Sequence, residues 1–363
     1  MRFLSFIALF CAAFFASAQN NFYYIIPAQY ADAGNMVEKV AFFIENEKYG
    51  LVDAQGGLVL KPIYQKIDDC HEGMLGFMSG GKFGFVDKTG KELIKAQYEE
   101  IGIYQSGLAR VKTGGRWGFV DKMGKIVIAP QYDEVDNFVD NLAKVRLGTK
   151  FGFIDKKGKL VIPVAYEELF NFSEGMAEAK INGNWTYIDK KNKQLTAPKY
   201  ETVFRFREGV AAVLLKEKWG FIDKKGKTVI AHQYEDVAVF YEGAAEVLKG
   251  EKWGYINKSG AFIVQPAYNY TSNFSEGLAA VKENDKWGFV DKSGKLAIAF
   301  AYDEIKDFNE GAAAVKVGNK WGFIDKKANF IAEPQFVQAN NFIDGVALVY
   351  VGDLWGFIKI GAK

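Results

Sequence analysis

An aromatic residue stands at Tyr49, Phe83, Trp117, Phe151, Trp185, Trp219, Trp253, Trp287, Trp321 and Trp355, and every interval is 34 residues. Other columns keep the same step. Gly56, Gly90, Gly124, Gly158, Gly226, Gly260 and Gly294 follow the aromatic by seven places, and a tyrosine follows it by fifteen from Tyr64 to Tyr302. A second glycine recurs from Gly73 to Gly345, usually one residue after an acid. Self-similarity at a fixed period of this length means a stacked or radial array, in which each unit buries its apolar face only against its neighbours.

Size makes that dependence strict. A unit of 34 residues falls below the roughly 40 at which a domain stands without staples. Its anchor aromatic, burying about 150 to 250 Å², contributes on the order of 4 to 6 kcal/mol, while ordering the backbone costs about 1 to 2 kcal/mol per residue. Neighbour contacts must close the gap. With no proline-rich or serine-rich linker to split it, 19–363 reads as one cooperative array of about ten units.

Each unit reads as strands. Two glycines per unit would cost roughly 1 kcal/mol each inside helices, and the residues around the anchor are β-branched or aromatic. Ala211–Leu215, Trp219–Asp223 and Thr228–Ile230 form three short strands in an antiparallel meander. The second turn starts with an aspartate that can bond the following backbone and ends with a glycine suited to the left-handed conformation: Asp121 with Gly124, Asp155 with Gly158, Asp223 with Gly226, Asp291 with Gly294. Asn192 in that column is the next-best residue. Ala328 is not, and the expectation there is a distorted turn with Asn329 left-handed. Trp219, Phe221 and Asp223 point to one face, Gly220 and Ile222 to the other, so both faces must be covered. Tyr234–Gly243 then crosses to the next unit as a loop or helical turn, with Tyr234, Val237 and Phe240 packed inward.

The Trp-Gly-Phe-Ile/Val-Asp core followed by Lys-Lys-Gly-Lys resembles the bacterial WG-repeat (KWG-repeat) family, over residues 26 to 363. The resemblance implies a β-rich repeat protein, often in the envelope or secreted, with no established enzymatic activity and no catalytic residues to transfer. Departures are Tyr49 and Phe83 for Trp, Thr186 for the anchor glycine, Ala328 for the turn glycine and Lys359 for the aspartate.

Residues 1–18 carry Arg2, an apolar run from Phe3 to Phe15 and Ala16-Ser17-Ala18, the pattern of a cleaved secretory signal peptide. The run is shorter than the roughly 18 to 20 residues of a spanning helix, and no later stretch is long and apolar enough to cross a bilayer. The expected location is periplasmic, cell-surface or extracellular. Gln29-Tyr30 to Val40-Ala41 lies in register with Gln131-Tyr132 to Leu142-Ala143, so 19–48 is a partial first unit and 355–363 a partial last one. Joining the ends would complete about one further unit. The expected architecture is nevertheless an open superhelical array of three-stranded units, because ten blades exceed the usual four to eight of a propeller. A closed propeller-like ring is the alternative.

Chemistry finds little purchase. Removal of Arg2 with the leader leaves 45 basic residues against 44 acidic, which argues against a dedicated nucleic-acid binder. Lysines gather at one turn (Lys156, Lys157, Lys159) and acids elsewhere (Asp133-Glu134, Glu167-Glu168), so stacking would align a basic ridge and an acidic ridge. Cys70, alone after the leader, reads as a small buried hydrophobe. His71 and His232 lack repeated partners, and each turn aspartate supplies one carboxylate where calcium takes six to eight oxygens. The expectation is therefore no catalytic or metal site and no cofactor. The function read from the sequence is an exported, non-enzymatic scaffold that binds protein. A module binding envelope polysaccharide through exposed aromatics is the alternative.

Overall fold

A computed structural model describes residues 22–361, and the leader pattern lies outside them. Among the described residues all regular structure is β-strand, gathered in ten antiparallel sheets. The sixth sheet is typical: Thr202–Val203, Val210–Leu215, Lys218–Asp223 and Thr228–Tyr234 pair in chain order. Glu208-Gly209 and Lys216-Glu217 join the first two pairs, all four at positive φ, the twist that suits two-residue hairpins. In the third turn Asp223 Oδ1 accepts the N–H groups of Lys225 and Lys227, both at 2.9 Å.

The unit thus has four strands where the sequence indicates three. The extra strand is the start of the crossing segment: Asp236–Val237 pairs with Leu248 and Val247. Two residues are too few to display an alternating pattern. Tyr234, Val237 and Phe240 are all buried, as their spacing requires.

The expected open superhelix is also wrong. Phe22–Tyr30 runs antiparallel to Leu354–Ile360, with Tyr24 opposite Ile358, and supplies the fourth strand of the tenth sheet. That sheet packs on the ninth through a core shared with Phe22 and Tyr24, and on the first through a core containing Ile26, Ala33, Leu348 and Phe357. Asn340 Nδ2 donates to Asn35 Oδ1 across the junction at 2.9 Å. The ten sheets are the blades of a closed, propeller-like ring. An open array would leave two bare sheet edges and two half-units; closure removes both, and this outweighs the usual limit on blade number.

The Trp-Gly pair has a steric cause. Phe119 faces Ile128 and Trp117 faces Tyr132, so Ala129, Pro130 and Gln131 bulge over Gly118 alone. A Cβ there would lie 2.4 Å from the Ile128 oxygen and 2.6 Å from the Pro130 nitrogen. Only glycine admits that backbone approach. Where Thr186 takes its place, the fourth strand is lost: the fifth sheet keeps three strands, and Thr186 Oγ1 donates to the Thr196 oxygen at 2.7 Å.

The anchor aromatics are internal, but they are not the deepest layer. Trp117, Trp185, Trp219 and Trp321 are buried; Tyr49, Phe83, Phe151, Trp253, Trp287 and Trp355 are half-buried. Two residues on, Phe119, Phe153, Phe221, Phe289 and Phe323 are sealed. Each meets a phenylalanine of the next blade, as Phe119 meets Phe138 with ring centroids 4.7 Å apart. Tyr187 and Tyr255 in the same column extend hydroxyls to Phe204 O and Ser272 O of the next blade, both at 2.7 Å.

Of the exceptional turns, Asn192 is left-handed as expected. The expectation for Ala328 fails: it adopts φ +64° itself, and its N–H still donates to Asp325 O at 3.0 Å. Bonds from Lys327 and Asn329 to Asp325 Oδ1 hold the turn against the strain of one β-carbon.

Candidate functional site

Consecutive loops of a meander alternate between its two ends, so the ring has two faces. One carries the first and third turns of every blade. There Glu174, left-handed in its own turn at φ 51°, accepts the N–H groups of Glu208 and Gly209 in the next blade at 2.6 and 2.9 Å. Glu208 grips Gly243, Glu242 grips Glu276 and Gly277, Glu276 grips Gly311, and Glu310 grips Gly345. The relay runs from the fifth blade to the tenth, and again from the first to the third through Glu38 and Glu72. It explains the acid before the second glycine, in a place where asparagine would be the easier left-handed residue. Lysines of the third turn close on the same acids: Lys224 on Glu174, Lys258 on Glu208, Lys292 on Glu242.

On the opposite face the acids between blades tie neighbours together. Glu235 pairs with Lys218 of the sixth blade and accepts Gly250 N–H of the seventh; Asp303 does the same for Lys286 and Gly318. The lysine turns and inter-blade acids read as two ridges do lie on opposite faces, but each is interleaved with opposite charge. The turn pairs Asp121 with Gly124, Asp155 with Gly158, Asp223 with Gly226 and Asp291 with Gly294 bond backbone and converge on no common point.

Cys70 is buried, with its thiol pushed up to about 12 by burial and then by Glu38. Burial, then Lys199, lowers the His232 pKa. Among the described residues no group of three or more His, Cys, Asp or Glu gathers as a metal set.

Positions that repeat build the ring, so a binding site belongs where a sheltered column stops repeating. The third residue of the second strand is such a column. Ala212, Ala280 and Ala314 occupy it in some blades, Arg110, Lys144, Glu178 and Glu246 in others. In the third blade Arg110 fills the space, lying 5.2 Å from the centroid of Trp117 and donating to Val135 O at 2.8 Å. Lys144 pairs with Asp136 at 3.0 Å, and Glu246 accepts from the Thr271 hydroxyl.

Glu178 differs. It is 5% exposed, its Oε2 has no hydrogen-bond partner, and burial pushes its carboxyl up to about 7. Beside it opens a cleft of about 590 Å³ spanning the first-strand segments of the fifth, sixth and seventh blades. Phe170, Trp185, Val203, Phe204, Val237 and Val239 wall it, with Thr202 and Arg205 at its polar edge. Phe170 stacks on Trp185 at 5.6 Å and Phe204 on Trp219 at 4.7 Å. Of the residues singled out in the sequence, Trp185 and Val237 line this cleft. Glu178, Phe170 and Arg205 lie in columns that do not repeat; the signal in the sequence is a column that alternates between alanine and charge.

Nine consecutive segments, 49–83, 83–117, 117–150, 151–185, 185–219, 219–253, 253–287, 287–321 and 321–355, match the family described as WG containing repeat. Among solved structures, one described as the crystal structure of the eukaryotic initiation factor superposes with a TM-score of 0.52 at 11% identity, over 87% of this chain and 90% of that one. This likeness concerns the fold. PorZ, a surface component of the type-IX secretion system of Porphyromonas gingivalis, gives a TM-score of 0.30 at 12% identity over 92% of this chain and 57% of its own. The extracellular domain of the putative hybrid two-component system BT4673 from B. thetaiotaomicron gives 0.29 at 9% identity, over 90% and 57%. A search of curated protein sequences found no match.

Proposed function

The chain belongs to the WG-repeat family, and from that premise we propose that it is an exported, non-enzymatic ring that binds another protein at the cell envelope or outside the cell. The observation that carries this reading is the cleft beside Glu178: an open, concave apolar surface placed where the repeat pattern breaks. Exposed apolar surface with a polar rim is the usual mark of a macromolecular interface. The leader pattern at Met1–Ala18 supports export, and no helix among the described residues is long and apolar enough to cross a membrane.

A polysaccharide-binding reading draws on Phe170 and Tyr270, which are 51% and 59% exposed. They stand in the fifth and eighth blades and form no continuous platform. A photo-crosslinking residue at position 170, in the native host, should give a discrete protein adduct that the same residue at the exposed Met123 does not. No adduct at 170, with retention of the protein on envelope polysaccharide, would overturn the proposal in favour of the glycan reading.

A further inference from the structure

We infer that the cleft between the fifth, sixth and seventh blades receives an aromatic side chain bearing a ring N–H or O–H donor, tryptophan or tyrosine, from the partner protein, with that donor bonded to Glu178 Oε2. The inference rests on the protein-binding reading and names the group that is bound.

Three observations restrict the occupant. The walls are apolar and partly aromatic, and the volume of about 590 Å³ falls within the ~300–1,000 Å³ of pockets that enclose compact groups. Glu178 is almost wholly buried, yet one oxygen lacks a partner. A purely aliphatic or phenyl group would leave that oxygen desolvated and unbonded, the costly case for a buried polar atom. Arg205 stands at the mouth, on the same cleft and within the electrostatic reach of Glu178. Burial favours the protonated form of Glu178, so a cationic side chain gains little there and is repelled by Arg205, while an anionic one would have to be buried beside that carboxyl.

A neutral ring with a donor satisfies all three. Its body lies against Phe170 and Phe204, its donor reaches the carboxyl, and the guanidinium can lie over its face. The same chemistry occurs nearby, where Arg207 sits 3.6 Å from the ring centroid of Tyr241. Tryptophan and tyrosine are also the residues most used as buried anchors in interfaces. The repeated Phe170 and Phe204 stacks flank the cleft one blade apart, so a peptide segment can cross both while its anchor enters between them.

The test uses the full mature chain with labelled valine methyls, titrated with N-acetyl-tryptophanamide and with its 1-methylindole counterpart, which keeps the ring but lacks the donor. The first probe should shift the methyls of Val203, Val237 and Val239, with the second bound at least about tenfold more weakly. Glu178→Gln, which keeps an acceptor, should preserve the preference; Glu178→Leu should abolish it while both probes still bind. Equal affinity of the two probes for the parent protein would overturn the role of Glu178 and leave the protein-binding reading standing. Silence at the three valines with both probes would overturn the site. A position-170 crosslink to protein would then still uphold the broader reading, and its absence would remove that as well.

Discussion

Phe221 of the sixth blade meets Phe240 of the seventh edge-on, ring centroids 5.1 Å apart and planes at 68°, and both rings are sealed from solvent. The two lie 19 residues apart in the chain but on different sheets. The equivalent contact recurs around the ring, as between Phe289 and Phe308 at 5.0 Å. Edge-to-face pairs of this kind add about 0.5 to 1.5 kcal/mol beyond their buried area, and here that energy falls between blades, where single units are deficient.

Truncating this contact should therefore weaken the whole ring. Phe221→Ala and Trp219→Ala should each cost about 3 to 5 kcal/mol in urea unfolding, with Phe221→Ala the larger because its ring is the more deeply enclosed. A loss under about 1 kcal/mol for either would mean that its ring is not packed between sheets.

At Gly118 the fourth strand presses its backbone against the place of a β-carbon. Gly118→Ala should cost about 1 to 3 kcal/mol or more by forcing that strand away. In the fifth blade the strand is already gone, and Thr186→Ala should cost only about 1 kcal/mol, the worth of its bond to the Thr196 oxygen. Equal costs at the two sites, read from urea midpoints, would contradict the steric account of the Trp-Gly pair.

Ala328 holds a left-handed conformation that an L side chain resists by about 1 to 2 kcal/mol. Ala328→Gly relieves this but loosens the unfolded chain by about 0.4 to 1 kcal/mol. The net outcome should be a gain of about 0.5 to 1 kcal/mol by thermal or urea unfolding, whereas Gly226→Ala, at φ +78° in the equivalent turn, should lose stability.

Stability should also carry a signature of Glu178. Its folded carboxyl titrates at about 7, above the ordinary 4.5, because of burial. The folded protein then holds a proton that the unfolded chain releases, so this group's contribution falls as pH rises from about 4.5 through 7 and is level beyond. Asp223, held low first by the Lys227 N–H, works with the opposite sign: its contribution is present above the unfolded value and lost as pH falls. Glu178→Gln removes only the first effect. Relative to the parent, the variant should gain stability between pH 5 and pH 8; a difference independent of pH would contradict the burial of this carboxyl.

Much of the ring was legible because one unit is written ten times. The 34-residue step, the hairpin chemistry of Asp223 and Gly226, and the inward packing of Val237 and Phe240 follow from local physics and survive in the fold. Two-residue strands such as Thr202–Val203 left no periodic trace. Closure was encoded in the split terminal units, but pairing Tyr24 with Ile358 depends on the summed turn of all ten blades, which no local pattern reports. The acid before most of the second glycines was visible, while its grip on the next blade's amides needed three dimensions. The cleft left no local trace, since four residues of the column are charged and nothing in the sequence marks Glu178 as the carboxylate without a partner.

Ring closure is tested most directly where the two chain ends meet. Tyr23 faces Lys359 across the antiparallel pair of the tenth blade. With Cys70→Ser removing the native thiol, Tyr23→Cys and Lys359→Cys introduced together should form an intramolecular disulfide on mild oxidation, read as a monomer without free thiols by mass and thiol titration. Persistent free thiols, or disulfides formed only between molecules, would show that the ends stand apart and that the array is open.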